Sequence, residues 1–109
     1  MKLFDFDSIS SYYFYESFYM EIGVNIIVKG MVQGVGFRYF VYDKALKFGL
    51  NGYTRNLYNG DVEIEVTGER SIVEEFIKEV KTGPRASHVS DVKIKWIQPG
   101  VNYNNFEIR

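Results

Sequence analysis

The order in which two hydrophobic periodicities follow each other constrains the fold of this chain more than any other feature. Between residues 21 and 109, segments with alternating or continuous apolar residues are separated by two segments in which apolar residues recur every three or four positions. Alternation is typical of strands, and the longer spacing is typical of amphipathic helices. The predicted order is strand, helix, strand, strand, helix, strand, with a short strand appended.

Glycines mark where several of these segments end. Gly49 follows the first helical segment and Gly83-Pro84 follows the second, where a glycine can adopt the left-handed conformation that caps a helix. Asn59-Gly60, between two strand segments, is a hairpin signal. The strands are predicted over residues 21–29, 52–57, 61–67, 89–97 and 103–109, and the helices over residues 37–48 and 71–82.

The start of the second helix carries its own signals. Gly68 interrupts the preceding alternation, so we expect the strand to stop there. Ser71 and Glu74 have the spacing of a capping box, in which each side chain satisfies a backbone N–H at the first turn. We therefore predict a helix that begins at or a residue or two before Ser71.

This order of elements predicts an α+β fold, the ferredoxin-like α/β sandwich (βαββαβ), with a short extra C-terminal strand. Both helices are expected on one face of an antiparallel-rich sheet. The chain has 109 residues, which is enough for one two-layer core and too few for two. We expect one domain over residues 21–109.

Residues 1–20 precede this pattern and follow neither periodicity. Eight of them are aromatic, and acidic residues interrupt them, which does not fit a secretory signal. We interpret them as an N-terminal extension whose aromatic side chains contact the domain or a neighbouring chain. A second interpretation is that Met20 is the true start. We expect a monomer, with self-association through residues 1–20 as the alternative.

Composition excludes several classes of site. The chain has no cysteine and a single histidine, His88, which excludes thiolate or histidine metal clusters and Cys- or His-dependent nucleophilic machinery within the chain. Thirteen basic and fourteen acidic residues give no positive excess, so we expect no nucleic-acid partner. No segment has the roughly 20 continuous apolar residues of a membrane helix, so we expect no membrane partner and a cytoplasmic location.

The segment over residues 30–40, GMVQGVGFRYF, joins the first strand to the first helix. The N–H groups at a helix start have no partner inside the helix, and the helix dipole adds positive charge there, so this turn favours an anion. Arg38 adds a guanidinium suited to phosphate. The spacing of Gly30, Gly34 and Gly36 is not that of a dinucleotide-binding fingerprint, and no P-loop Lys-Ser or Lys-Thr pair follows.

The same stretch offers one misleading match. Residues 36–42 resemble the aromatic consensus of RNA-recognition motifs, whose fold is also ferredoxin-like. In those proteins the consensus lies on a strand, whereas here it opens a helix. The strand that would have to carry it shows Glu63 and Glu65, which repel phosphates. We do not favour RNA binding.

Two longer motifs point to one family. Residues 30–38 read GMVQGVGFR, and residues 52–56 read GYTRN, followed by GDVE at 60–63. Gly-Pro at 83–84 and Phe-Glu-Ile at 106–108 lie at the expected places further on. Residues 21–109 as a whole resemble an acylphosphatase, and the first motif is the most specific part of the resemblance.

The resemblance implies a function and a set of site residues. It implies metal-independent hydrolysis of a small-molecule acyl phosphate to a carboxylate and inorganic phosphate, with no cofactor. Arg38 would bind the substrate phosphate and Asn56 would orient the attacking water. An amide side chain cannot act as a base at neutral pH, so orienting water suits Asn56. The phosphate-binding loop would consist of Gln33, Gly34, Val35, Gly36, Phe37 and Arg38.

Other interpretations of these residues are simpler. Asn56 alone could end a strand before a turn, and Gly34 and Gly36 could serve the turn only. Arg55 alternates away from Asn56, and we expect it on a solvated face; we expect His88 in a loop. The alternative function is a non-catalytic phosphate-binding accessory or regulatory module.

Overall fold

The structure, a computed structural model, describes residues 20–98 and 102–109. The predicted extension over residues 1–20 lies outside this part of the chain except for Met20. Neither helix in the described part is long and apolar enough to cross a membrane. The elements are β1 (Glu21–Met31), α1 (Phe37–Phe48), β2 (Asn51–Asn56), β3 (Val62–Glu69), α2 (Arg70–Thr82), β4 (His88–Ile97) and β5 (Phe106–Ile108).

The five strands form one sheet in the order β4-β1-β3-β2-β5. Every neighbouring pair is antiparallel except β2 and β5, which are parallel. Helix α1 packs over β2 and β5, and α2 packs over β1, β3 and β4. The element order and the antiparallel-rich sheet confirm the predicted ferredoxin-like sandwich with an extra strand.

The core lies between the sheet and the helices. Alternate residues of β1 and β3 point into it, and the apolar stripes of both helices cover them, as the two periodicities predict. Burying each of these aliphatic or aromatic side chains stabilises the fold by about 1.5–3 kcal/mol relative to leaving it exposed. Among the most completely buried are Val24, Ile26, Val28, Phe37, Val41, Val62, Ile64, Val66, Val73 and Phe76.

The predicted end of β3 is wrong, whereas the helix that follows begins one residue before Ser71, within the predicted range. β3 continues through Gly68, which pairs with Ile22, and α2 begins at Arg70. A methyl group on Gly68 would lie 2.4 Å from Cδ2 of Leu50, so the glycine makes room for a core side chain and does not end the strand. The N-cap is Glu69, without a side-chain capping bond, so the Ser71–Glu74 capping box does not form.

The other helix ends are as predicted, whereas the last strand is shorter. Gly49 caps α1 in the left-handed conformation and donates its N–H toward Ala45 and Leu46. α2 ends at Thr82, and Gly83 donates to the carbonyl of Glu79 at 3.0 Å. Of the predicted segment 103–109, only Phe106–Ile108 is strand.

The sheet face opposite the helices carries a polar network centred on two carboxylates of β3. Asn25 donates to Glu63 at 3.2 Å and to Glu65 at 3.1 Å. Tyr53 donates to Glu63 at 3.1 Å, and Tyr103 donates to Glu65. Both carboxylates thus accept hydrogen bonds from side chains of the sheet and of the segment that precedes β5.

Candidate active site

The loop between β1 and α1 is held at both ends by buried side chains. Val32 and Phe37 are each only 1% exposed, whereas Gly34 and Gly36 between them are exposed. Gly34 has φ 74° and Gly36 has φ 77°, in the left-handed region that glycine adopts most readily. The two glycines let the exposed loop turn sharply while both of its ends remain in the core.

The first turn of α1 leaves its N–H groups available. The N-cap Gly36 has no side chain to accept from them, and the first turn contains no acidic residue. The N–H of Phe40 is bonded to the carbonyl of Gly36 at 3.0 Å, so the three N–H groups before it have no acceptor within the helix. They face outward from the positive end of the helix dipole, which is a general anion-binding arrangement.

A cavity of about 260 Å³ opens at this turn. Arg38, in the first turn of α1, and Asn56, the last residue of β2, both line it. The structure therefore brings together the two residues that the resemblance singles out, although they belong to different elements. The remaining lining residues are Val32, Gly34, Gly36, Phe37 and Tyr39.

Asn56 and Arg38, which line the cavity, both have unused bonding capacity. The Oδ1 atom of Asn56 is buried and has no hydrogen-bond partner among the described residues. Within the same part of the chain, Arg38 forms no hydrogen bond or ion pair. A buried polar atom without a partner is costly, so such an atom is a general indication of a ligand or water site.

Gln33 and Val35 are not among the lining residues, although sequence reasoning placed both in the loop. The side chain of Gln33 instead donates from Nε2 to the carbonyls of Leu57 and Asp61, at 2.8 Å each. The resemblance implies only a backbone role for Gln33, so this bridge was not predicted. The hairpin signal Asn59-Gly60 predicts the turn that contains both acceptors, but it does not predict that Gln33 lies beside that turn.

Tyr39 is a second residue that sequence reasoning missed. It lines the cavity next to Arg38, and its side chain is 74% exposed. The helical spacing predicts that Tyr39 lies on the first turn of α1. It does not predict on which side of that turn the cavity opens.

Arg55 lies beside Asn56 on β2 but points to the other sheet face. It is exposed, and its Nε is 2.6 Å from Oε1 of Glu63, which raises the pKa of Arg55. Burial opposes ionisation of Glu63, but hydrogen bonds from Asn25, Arg55 and Tyr53 outweigh it and hold the pKa of Glu63 below its ordinary value. Arg55 thus belongs to the network opposite the helices, as its alternation predicts.

His88 lies far along the chain from these residues and is exposed at the first position of β4, where it pairs with Met31. It is therefore in a strand and not in the loop that we expected. In residues 20–98 and 102–109, no three histidine or acidic side chains are grouped so that they could hold a metal ion.

Comparisons with known proteins agree on one family. The sequence model of the family described as Acylphosphatase matches residues 24–108. The acylphosphatase of Chlorobaculum tepidum is 45% identical over 88 residues, covering 81% of this chain and 96% of that protein. That of Caldanaerobacter subterraneus subsp. tengcongensis is 40% identical over 89 residues, covering 82% and 99%. The crystal structure of acylphosphatase from Bacillus subtilis superposes with a TM-score of 0.79 at 38% identity, covering 81% of this chain and 98% of that one.

Proposed function

This chain belongs to the acylphosphatase family, and from that premise we propose how its own residues hydrolyse an acyl phosphate. The phosphate group binds in the cavity at the start of α1. The guanidinium of Arg38 and the free N–H groups of the first helical turn neutralise and orient it. The acyl group extends toward the exposed rim, where Tyr39 lies.

Asn56 orients the attacking water. Its Oδ1 accepts a hydrogen bond from the water, whose oxygen attacks phosphorus in line with the carboxylate that leaves. The amide is not basic, so the proton passes to a phosphoryl oxygen of the substrate. The P–O bond to the acyl group breaks, and the products are a carboxylate and inorganic phosphate.

This small set of residues suits the reaction. A carboxylate leaves readily, so no strong general acid is needed, and phosphoryl transfer depends mainly on positioning and charge stabilisation. The observation that carries the proposal is that Asn56, whose buried Oδ1 has no partner among the described residues, lines the same cavity as Arg38.

The test is hydrolysis of benzoyl phosphate in excess chelator by the wild type and by two variants. We expect Arg38→Ala to lower kcat/KM by about 10³-fold, the smaller end of what an arginine contributes to phosphoryl transfer. Asn56→Ala is expected to lower kcat by about 100-fold, as for the loss of one positioned hydrogen-bonding group.

Arg55→Ala is the matched control, because Arg55 adjoins Asn56 in sequence, is also an arginine and faces away from the cavity. It should retain wild-type kinetics within about twofold, since exposed ion pairs contribute little. No activity in the wild type, or undiminished activity in Arg38→Ala and Asn56→Ala, would contradict the proposal.

A further inference from the structure

The two halves of the site come from strands that are not neighbours in the sheet. The phosphate-binding loop follows β1, and Asn56 ends β2, but β3 lies between these strands. Two strand spacings separate them by roughly 10 Å. No backbone hydrogen bond of the sheet therefore joins the loop directly to the strand that carries Asn56.

The Gln33 side chain makes this connection. Its Nε2 donates to the carbonyl of Leu57, which directly follows Asn56, and to that of Asp61, which directly precedes β3. Both amide hydrogens are used at 2.8 Å, which is a good hydrogen-bond distance. One side chain thus spans the gap between the loop and the turn beside Asn56.

The turn that receives Gln33 is itself well constrained. The N–H of Leu57 donates to the carbonyl of Asp61 at 2.8 Å, which closes the turn. Asp61 is 7% exposed, and its carboxylate is 2.7 Å from Nζ of Lys29 and 3.1 Å from Nδ2 of Asn59. Because the acceptors are fixed, the Gln33 side chain ties the loop to a defined point beside Asn56.

We propose that Gln33 is a positioning residue that holds Asn56 at its working distance from the bound phosphate. The proposal rests on the proposed function of Asn56 and extends it to a side chain outside the cavity. Gln33 acts through the Leu57 carbonyl on the adjoining residue, so its loss should disturb the orientation of water. Phosphate binding should change little, because Arg38 and the N–H groups of α1 do not depend on the Gln33 side chain.

The first variant is Gln33→Met, which keeps the length of the side chain and removes both donors. The matched control is Asn25→Leu, because Asn25 also donates two side-chain hydrogen bonds, at 3.2 and 3.1 Å, but on the sheet face away from the cavity. We expect Gln33→Met to lower kcat about tenfold, since small misplacements of a reacting group are costly. The Ki of inorganic phosphate should stay within about threefold of wild type, and Asn25→Leu should change neither value more than about twofold.

A double-mutant cycle tests whether Gln33 acts through Asn56. In the Asn56→Ala background, Gln33→Met should change kcat by less than about twofold. An equal loss of kcat in both backgrounds, or a tenfold weaker phosphate Ki, would overturn the proposal. Gln33→Glu adds a pH readout, because a carboxyl donates only when protonated: its kcat relative to wild type should rise as the pH falls, whereas that of Gln33→Met should not.

A measurement that needs no turnover separates this proposal from the proposed function. In ¹⁵N NMR spectra of the full chain, Gln33→Met should shift the side-chain amide signals of Asn56, and Asn25→Leu should leave them in place. Unmoved Asn56 signals in Gln33→Met would refute the positioning role. An inactive wild type, or an active Asn56→Ala, would instead refute the proposed function.

Discussion

Helix α1 has a glycine at each end, and the pair allows backbone strain to be separated from phosphate binding. Gly36 has φ 77° and ψ 18°, and Gly49 has φ 67° and ψ 29°. A Cβ added at either position would have no atom within 4 Å. The backbone therefore holds an alanine at either site in the same left-handed conformation, and its methyl group does not clash with the protein.

The two substitutions should cost the same stability. A residue with a Cβ pays about 1–2 kcal/mol in the left-handed region. For a domain of this size, each kcal/mol lowers Tm by roughly 4–8 °C. We therefore expect Gly36→Ala and Gly49→Ala to lower Tm by similar amounts, about 4–16 °C, with both proteins folded at 25 °C.

Only Gly36→Ala should weaken phosphate binding. Gly36 lines the cavity and immediately precedes the free N–H groups of α1, whereas Gly49 lies at the opposite end of the helix. A methyl group at Gly36 narrows the phosphate site and alters the direction of those N–H groups. We expect the Ki of inorganic phosphate to rise about tenfold, which corresponds to about 1.4 kcal/mol of binding free energy.

The assay combines thermal unfolding followed by circular dichroism with competitive inhibition of benzoyl phosphate hydrolysis by inorganic phosphate. The reasoning is refuted if Gly36→Ala leaves the phosphate Ki unchanged, because the turn would then not contribute to the site. It is also refuted if Gly49→Ala raises the Ki equally, because the effect would then be a general consequence of lost stability.

Three further predictions concern charge, pH and the N-terminal segment. Asn56→Asp keeps the side-chain shape but places a carboxylate beside the substrate phosphate, so kcat/KM at pH 7 should fall at least about 100-fold and recover partly as the pH falls; full activity at pH 7 would contradict the role of Asn56. Burial and the hydrogen bond to Glu63 raise the pKa of Tyr53 from 10.0 to about 12. The raised pKa stabilises the folded state fully below pH 10, and this stabilisation is lost as the pH rises toward 12. In urea unfolding, the free energy of unfolding should therefore fall less over that range in Tyr53→Phe than in wild type. Tyr58→Phe, at an exposed position, is the control and should behave like wild type. Removing residues 1–20 should leave kcat and KM within about twofold, and size-exclusion chromatography rejects self-association through this segment if both proteins elute as monomers.

Most of the fold was predictable because hydrophobic periodicity is a local property. Strands and helices have different repeats, and their order in this chain admits the ferredoxin-like sandwich. The wrong predictions concern residues whose role is determined by contacts with residues distant in sequence. Gly68 has the sequence appearance of a strand breaker, but it is a glycine because Leu50 occupies the space its side chain would need. Ser71 has the right spacing for a capping box, but β3 runs almost directly into α2 and leaves Glu69 as the N-cap.

The site was predictable in part for the same reason. The turn around Gly36 and the helix start at Arg38 are local features, so their attraction for an anion follows from the sequence. The proximity of Asn56 to Arg38 depends on the strand order, and only the resemblance to a family suggested it. The bridge from Gln33 could not be predicted, because its acceptors are main-chain carbonyls, at Leu57 and Asp61, that carry no sequence signal.

The parallel pairing of β2 with β5 has a consequence for the time at which the site is completed. β5 is bonded to the strand that ends in Asn56, and the N–H of Arg109 donates to the carbonyl of Thr54 at 2.8 Å. Until these late residues emerge from the ribosome, β2 has one bare edge, although the loop and Arg38 have long been synthesised. Synthesis proceeds at about 5–20 residues per second, so several seconds separate the synthesis of Arg38 from that of β5. β1, which leads into the loop, likewise pairs with β4 (His88–Ile97), so neither half of the candidate site has its full sheet before the C-terminal strands are made.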